Sequence, residues 1–314
     1  QLSTSTDEVT SEDTAMKYEA WGWKVVTIDG HNHDEIRKAL TDANNETEKP
    51  TLIIGKTIMG KGAVKADGSS YEGMVETHGK PLGKSKASFE KTIESLGADT
   101  ANPFAIYADV AQRYEDIKAT KRLTIGAKKA TIAAWEKDNA AAAAKLAGFL
   151  KNEAPKLDYA AIQQTAGKAT RDGSGAVLSY LADNVENMIV GSADLSNSDK
   201  TDNFLKKTTA FSHHDFSGAF FQAGVAELTM AAMSVGMALH GGVIPVCATF
   251  FAFSDYMKPA IRVCALMEQP VIFLWTHDAF RVGEDGPTHQ PIEQEAQLRL
   301  MEKLHNHSHR SSFL

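Results

Sequence analysis

Cysteine is scarce: Cys247 and Cys264 are the only two in 314 residues, they lie far apart in apolar segments, and no CxxC spacing occurs. That excludes a disulfide framework and a zinc knuckle, and it fits a reducing compartment, so the cytoplasm is the expected location. Basic charge is also short, with 33 Lys plus Arg against 40 Asp plus Glu and a formal net charge of −7. A nucleic-acid phosphate backbone is therefore not the expected partner. A signal-peptide pattern is missing too, because Gln1 leads into the polar stretch LSTSTDEVTSED with no basic or apolar region. Opening on Gln rather than Met, the sequence reads as a piece whose true start lies upstream. One uncharged run, residues 228–253, has the length of a membrane span, but His240, Gly241, Gly242 and Pro245 interrupt it. It reads better as a buried helix, a glycine turn and a strand, with no membrane partner.

What is present is ordinary globular material, 43% hydrophobic and 23% charged, enough for two domains at about 150 residues each. The first stretch alternates a helix over 11–21 stopped by Gly22, a strand over 25–28, a helix over 34–44 and the strand-like TLIIGKT. That is a βαβ rhythm. A glycine-rich loop over 60–83 follows, of a length that usually has a function. Helical signal then runs from 85 to about 165 and includes the alanine tract 140–144. The βα rhythm restarts with a helix over 174–186, MIVG, a polar loop, a helix over 223–239, VIPVCATF, a helix to 267 and VIFLW. A second doubly wound unit is the simplest account. Pro291 suits the first position of a last amphipathic helix, IEQEAQLRLMEKL.

Ligands of open parallel sheets bind beyond the carboxyl ends of the strands, so the segments that follow strands carry the candidate chemistry. THDAFRVGEDGPTHQP after VIFLW places His277, Asp285 and His289 on a Gly/Pro-rich loop. Such a loop suits a substrate or cofactor better than zinc. SADLSNSD after MIVG offers hydroxyls and backbone N–H groups for an anion. Glu227 opens the otherwise uncharged AELTMAAMSVGMAL. It reads equally as compensation of a helix dipole or as a desolvated carboxylate that trades a proton with a bound heterocycle. Phe250, Phe253 and Tyr256, three apart in TFFAFSDY, read as core packing or as an aromatic wall for a planar ring.

RVGEDGPTHQPIEQEAQLR, with THD just before it, closely resembles the pyrimidine-domain signature of the transketolase family. THGKPLG, ATRDGSGAVL, GSADLSNSD, AGVAELTMAAMSVGMALHGG and TFFAFSDYMKPAIR occur in the family's order. The resemblance covers nearly the whole chain. It implies the thiamine-diphosphate-binding fold, an α/β architecture of two doubly wound, mainly parallel-sheet units, the first incomplete, joined by a helical connector. Residues 1–100 then correspond to the later part of the diphosphate-binding domain, 101–168 to the connector, and 169–314 to a pyrimidine-binding domain cut near its end. The implied cofactors are thiamine diphosphate and Mg²⁺ or Ca²⁺. The implied partners are ketose and aldose phosphates and a second copy of the chain, with the active site at the subunit interface.

Carried over by residue, the resemblance assigns Glu227, His78 and His277 to catalysis, with Glu227 protonating the aminopyrimidine ring. It assigns Phe250, Phe253, Tyr256, His289, Asp194, Met59 and His78, together with Glu227, to the cofactor. His78, Arg171, Ser198, His277, Asp285 and His289 face the substrate, and Arg171 and Ser198 hold its phosphate. No metal ligand is assigned, because the family's GDG motif and distal Asn do not occur in the sequence and are expected upstream of Gln1. The implied reaction is transfer of a two-carbon ketol unit, and the 314 residues alone are expected to be inactive.

Two departures stand out: AELTM where many relatives read REHAM, and AFR after THD where they commonly read SIG. The bulk of Phe280 and the charge of Arg281 bear on acceptor fit. Dihydroxyacetone synthase shares the signature and differs mainly in acceptor. Deoxyxylulose phosphate synthases carry a similar GADGPTHQ motif without the flanks. A noncatalytic half that works only with its missing half is a further alternative. His305, His307 and His309 resemble a metal cluster or a tag but fit a surface turn.

Overall fold

The computed structural model describes residues 4, 6–278, 282–283 and 285–302. Phe280, Arg281 and the three histidines after 304 lie outside the described residues. The chain forms two compact units, Gln1–Leu123 and Thr124–Leu314.

In the first unit α1 (Thr6–Val9) and α2 (Thr14–Ala20) precede β1 (Lys24–Asp29), α3 (His33–Asn45) and β2 (Thr51–Lys56). The Asn32 side chain caps α3 by accepting from the Asp34 and Glu35 N–H groups. β1 and β2 pair in parallel from Lys24–Thr51 to Asp29–Lys56, the geometry that a crossover helix permits. The glycine-rich segment holds two short 3₁₀ turns, Val75–Thr77 and Leu82–Lys84, and an isolated antiparallel bridge between Val64 and Ser70. It closes around Ala63, Tyr71 and Ala87. Glu72 ties it further by accepting from the Gly62 N–H at 2.7 Å, a bond that holds this carboxyl below its ordinary range.

α4 (Phe89–Ser95), α5 (Ala108–Asp138) and α6 (Ala140–Leu150) follow, and the boundary between the units falls within α5. Helix does not continue to about 165 as the sequence pattern suggests. Asn152 takes a left-handed φ of +55°, the Glu153 N–H bonds back to the Gly148 carbonyl at 3.1 Å, and Pro155 has no N–H to extend the ladder.

The second unit comprises α7 (Thr170–Asn184), β3 (Met188–Ser192), α8 (Ser196–Asp199), α9 (Asp202–Leu205), β4 (Phe220–Gln222), α10 (Glu227–His240), β5 (Ile244–Phe250), α11 (Ser254–Leu266), β6 (Ile272–Thr276) and α12 (Gln294–Glu302). Its strands are all parallel, in the order β4-β3-β5-β6. Side chains alternate across the sheet and build two cores. Met188, Val190, Phe220 and Val246 pack with Leu178 of α7 and Phe204 of α9. Phe221 and Cys247 face Met230, Met257, Ile261 and Leu298 from α10, α11 and α12. Gly191 lets the strands approach, because a Cβ there would stand 2.6 Å from the Phe221 ring.

Residues 228–253 resolve into most of α10, a turn at Gly241 and Gly242, both at φ +81°, and β5. Among the described residues no helix is long and apolar enough to cross a membrane. Three local expectations change. β4 forms from the Phe-Phe pair of AFFQA, too short a run to show alternation. α10 begins at Glu227 rather than at 223, because Gly224 at φ +66° turns the chain just before it. α12 begins at Gln294, so Pro291 is not its first residue. The Gln294 side chain accepts from the Ile292 N–H at 2.9 Å and closes a turn ahead of the helix.

Candidate active site

Parallel pairing puts the carboxyl ends of all four strands of the second unit on one edge. From β3 the chain moves to β4 on one side, then crosses to β5 on the other. The strand order therefore reverses between the ends of β3 and β5, the place where such sheets hold ligands. Asp194 and Ser198 follow β3, Glu227 follows β4, Phe250 ends β5, and His277 follows β6 directly. A helix that leads into a parallel strand starts at this same edge, which is where α7 carries Arg171 in its first turn.

Arg171 Nη1 lies 2.9 Å from His277 Nε2 and donates to the Ser198 carbonyl at 3.3 Å. A guanidinium has no acceptor, so Nε2 must be the unprotonated nitrogen of His277. Nδ1 then carries the proton and donates to Thr276 Oγ1 at 3.0 Å. Burial pushes the His277 imidazole below its ordinary value, and the Arg171 charge pushes it further down, with Asp285 opposing. The neutral Nδ1–H form is therefore the resident one, held on a backbone at φ +56° that a non-glycine residue keeps only under constraint.

That constraint is aromatic. The His277 ring stacks on Phe250 at 3.6 Å between centroids. Phe250 continues to Phe253 at 5.7 Å, and Phe253 to Tyr256 at 6.1 Å. His289 meets Phe253 edge-on at 5.1 Å. Phe250 is 6% exposed and Tyr256 62% exposed, so the series runs from core to surface. Asp285 is exposed, and its carbonyl accepts from Thr288 Oγ1 at 3.4 Å.

Glu227 is the first residue of α10 and 8% exposed. Among the described residues no donor is bonded to its carboxylate. The preceding Ala226 provides no side-chain cap, so the positive end of α10 faces this acid. Asp194, exposed, sits at φ +65° in the turn after β3. His78 and Met59 belong to the first unit: His78 is exposed and closes a 3₁₀ turn, and the Met59 carbonyl accepts from the Gly73 N–H at 2.7 Å.

Sequence reasoning missed two supporting groups. Asp199 is wholly buried, and burial pushes its carboxyl above the ordinary range. Gln294, 4% exposed, donates to Asp255 at 3.2 Å and so joins the segment after His289 to the helix after Phe253. Their only sequence signal was polarity inside otherwise assigned segments. A cleft of about 860 Å³ on the outer edge of β6, lined by Phe251, Cys264, Phe273 and Trp275, includes none of the candidate residues.

The family model for the transketolase thiamine diphosphate binding domain matches residues 1–155, and that for the transketolase pyrimidine binding domain matches 166–308. The chain belongs to the transketolase family. It is 40% identical over 298 residues to the transketolase of Halalkalibacterium halodurans, covering 94% of this chain and 43% of that protein. Against the Geobacillus stearothermophilus transketolase it is 40% identical over 303 residues, again covering 94% and 43%. The solved structure of Leishmania mexicana transketolase superposes with a TM-score of 0.85 at 30% identity, covering 95% of this chain and 44% of that one. The chain thus spans less than half the length of the relatives it matches.

The lowered His277 pKa has a measurable sign. Because the folded value lies below the unfolded one, this group's contribution to stability is present above the ordinary imidazole value and is lost as pH falls through the folded value. Urea midpoints followed from about pH 8 to about pH 5 are expected to fall more steeply in the wild type than in His277→Gln. Parallel curves would mean that His277 is not held neutral.

Proposed function

We propose that this chain supplies the pyrimidine-side half of a transketolase active site, which moves a two-carbon ketol unit from a ketose phosphate to an aldose phosphate. The observation that carries this reading is the junction of Arg171, Ser198 and His277 with the Phe250 ring at the carboxyl edge of one parallel sheet.

The residues fit thiamine diphosphate. A buried carboxylate with no donor bonded to it among the described residues and a run of aromatic faces are the two things that an aminopyrimidine ring requires. Bound there, the cofactor supplies the carbon nucleophile that carries the ketol unit. Glu227 would share a proton with the ring nitrogen. Phe250, Phe253 and Tyr256, with Asp194 and His289, are the residues that would hold the ring. Neutral His277 moves protons at the donor hydroxyls, beside Asp285 and His289. Arg171 and Ser198 take the sugar phosphate.

His78 is assigned to the cofactor and the substrate and Met59 to the cofactor, and a second copy of the chain is the proposed partner. A divalent cation, Mg²⁺ or Ca²⁺, accompanies the diphosphate. Among the described residues no group of three His, Cys, Asp or Glu is placed to hold it. The cytoplasm is the proposed location.

The test is ketol transfer by the complete enzyme with thiamine diphosphate and magnesium; no transfer to any aldose phosphate overturns the reading. Transfer to a different acceptor in preference to aldose phosphates would favour a dihydroxyacetone synthase. Arg171→Ala is expected to cost about 1.5 to 3 kcal/mol of binding for phosphorylated ketoses, as one charge-assisted bond is lost. Equal loss on the unphosphorylated ketose would remove Arg171 from the phosphate site.

A further inference from the structure

Asp199, Ser192 and Thr201 are each 0% exposed. The Asp199 carboxylate accepts three hydrogen bonds: from Ser192 Oγ at 2.7 Å, from the Thr201 N–H at 2.9 Å and from Thr201 Oγ1 at 2.7 Å. Ser192 Oγ accepts in turn from the Leu195 N–H at 3.2 Å. The Leu195 carbonyl accepts from the N–H groups of Ser198 and Asp199, both at 2.8 Å. One carboxylate therefore ties the last residue of β3 to both ends of α8. The segment it closes contains two non-glycine residues in left-handed conformation, Asp194 at φ +65° and Lys200 at φ +68°. Such backbone persists only where surrounding bonds over-determine it.

The closed segment presents the Ser198 carbonyl to Arg171. Nη1 spends one hydrogen on that carbonyl and the other on His277 Nε2. Among the described residues nothing is bonded to Nε or Nη2, and these are left for an anion. Asp199 is sealed from solvent, so any effect on an anion must pass through the turn.

We propose that Asp199 is a positioning residue of the phosphate subsite: its carboxylate locks the turn between β3 and α8 so that the Ser198 carbonyl holds Arg171 against His277. The proposal rests on the reading of this edge as a sugar-phosphate site.

In the complete enzyme, Asp199→Leu is expected to raise KM for a ketose phosphate about tenfold, with kcat within about twofold. KM for the same ketose without its phosphate is expected to stay unchanged. Asp199→Asn keeps an acceptor for Thr201 and gains a donor toward Ser192 Oγ, so it is expected to remain within about threefold of wild type. Equal losses on both ketoses, a fall in kcat alone, or no rescue by asparagine overturns the proposal. Should Asp199→Leu fail to fold, Ser192→Ala removes one of the three bonds and is expected to raise the phosphate-dependent KM about threefold; an unchanged KM overturns it. Calorimetry with inorganic phosphate reads the same guanidinium without turnover. Weaker phosphate binding in Ser192→Ala supports the positioning role even if the wild type shows no ketol transfer, and unchanged binding refutes it. A wild type that binds phosphate but transfers no ketol unit counts against the enzymatic reading alone.

Discussion

Replacing Glu227 with glutamine is expected to slow ketol transfer by the complete enzyme about 10²-fold or more while leaving the fold intact. The side chain is 8% exposed, opens α10, and has no donor bonded to it among the described residues. Glutamine matches its shape, so the packing of α10 does not change. What changes is the proton, since an amide cannot release and recover one at neutral pH. The alternative role, compensation of the helix dipole, predicts a different outcome: a stability loss of about 0.3 to 1 kcal/mol with activity retained. Hydrogen–deuterium exchange at the reactive carbon of the bound cofactor separates the two. Exchange as fast in the mutant as in the wild type would leave Glu227 only its dipole role.

Phe220→Ala is expected to destabilise the protein by about 3 to 5 kcal/mol. Phe220 is 0% exposed and lies in the core with Val190, Val246 and Phe204. It stands opposite Val190 in the register of β4 on β3, and its carbonyl accepts from the Phe211 N–H at 2.8 Å. β4 has only three residues, so side-chain burial rather than its ladder must hold it. The measurement is the urea midpoint at constant slope, with Phe216→Ala, 75% exposed, as a control expected to shift by less than about 0.5 kcal/mol. A loss below about 1 kcal/mol would show that the strand is held by something other than its phenylalanine.

Much of the second unit was legible because its strands are apolar runs bounded by turn residues. MIVG, VIPVCATF and VIFLW became β3, β5 and β6 within a residue or two. β4 was not legible, because three residues cannot display a period. Nor was the end of the helical region at Leu150, since the sequence pattern reads as helix to about 165 but a left-handed Asn152 and Pro155 ended the ladder. The start of α12 was decided by a side chain bonding back to Ile292, an interaction that no residue spacing announces.

By itself the sequence determined the α/β class, the family resemblance and the chemical types that could act at the strand ends. These are local properties, written in hydrophobic period, in glycine and proline placement and in contiguous motifs. Only the tertiary structure decided which of those types meet. Arg171 and His277 are 106 residues apart in the chain and 2.9 Å apart in space, and that distance is what fixes the His277 tautomer. The burial of Asp199 was equally invisible, since SADLSNSD reads only as a polar loop that could hold an anion. A polar segment can be enclosed when its carboxylate finds three donors, and whether it finds them depends on how β3 delivers Ser192 and where the chain turns at Lys200.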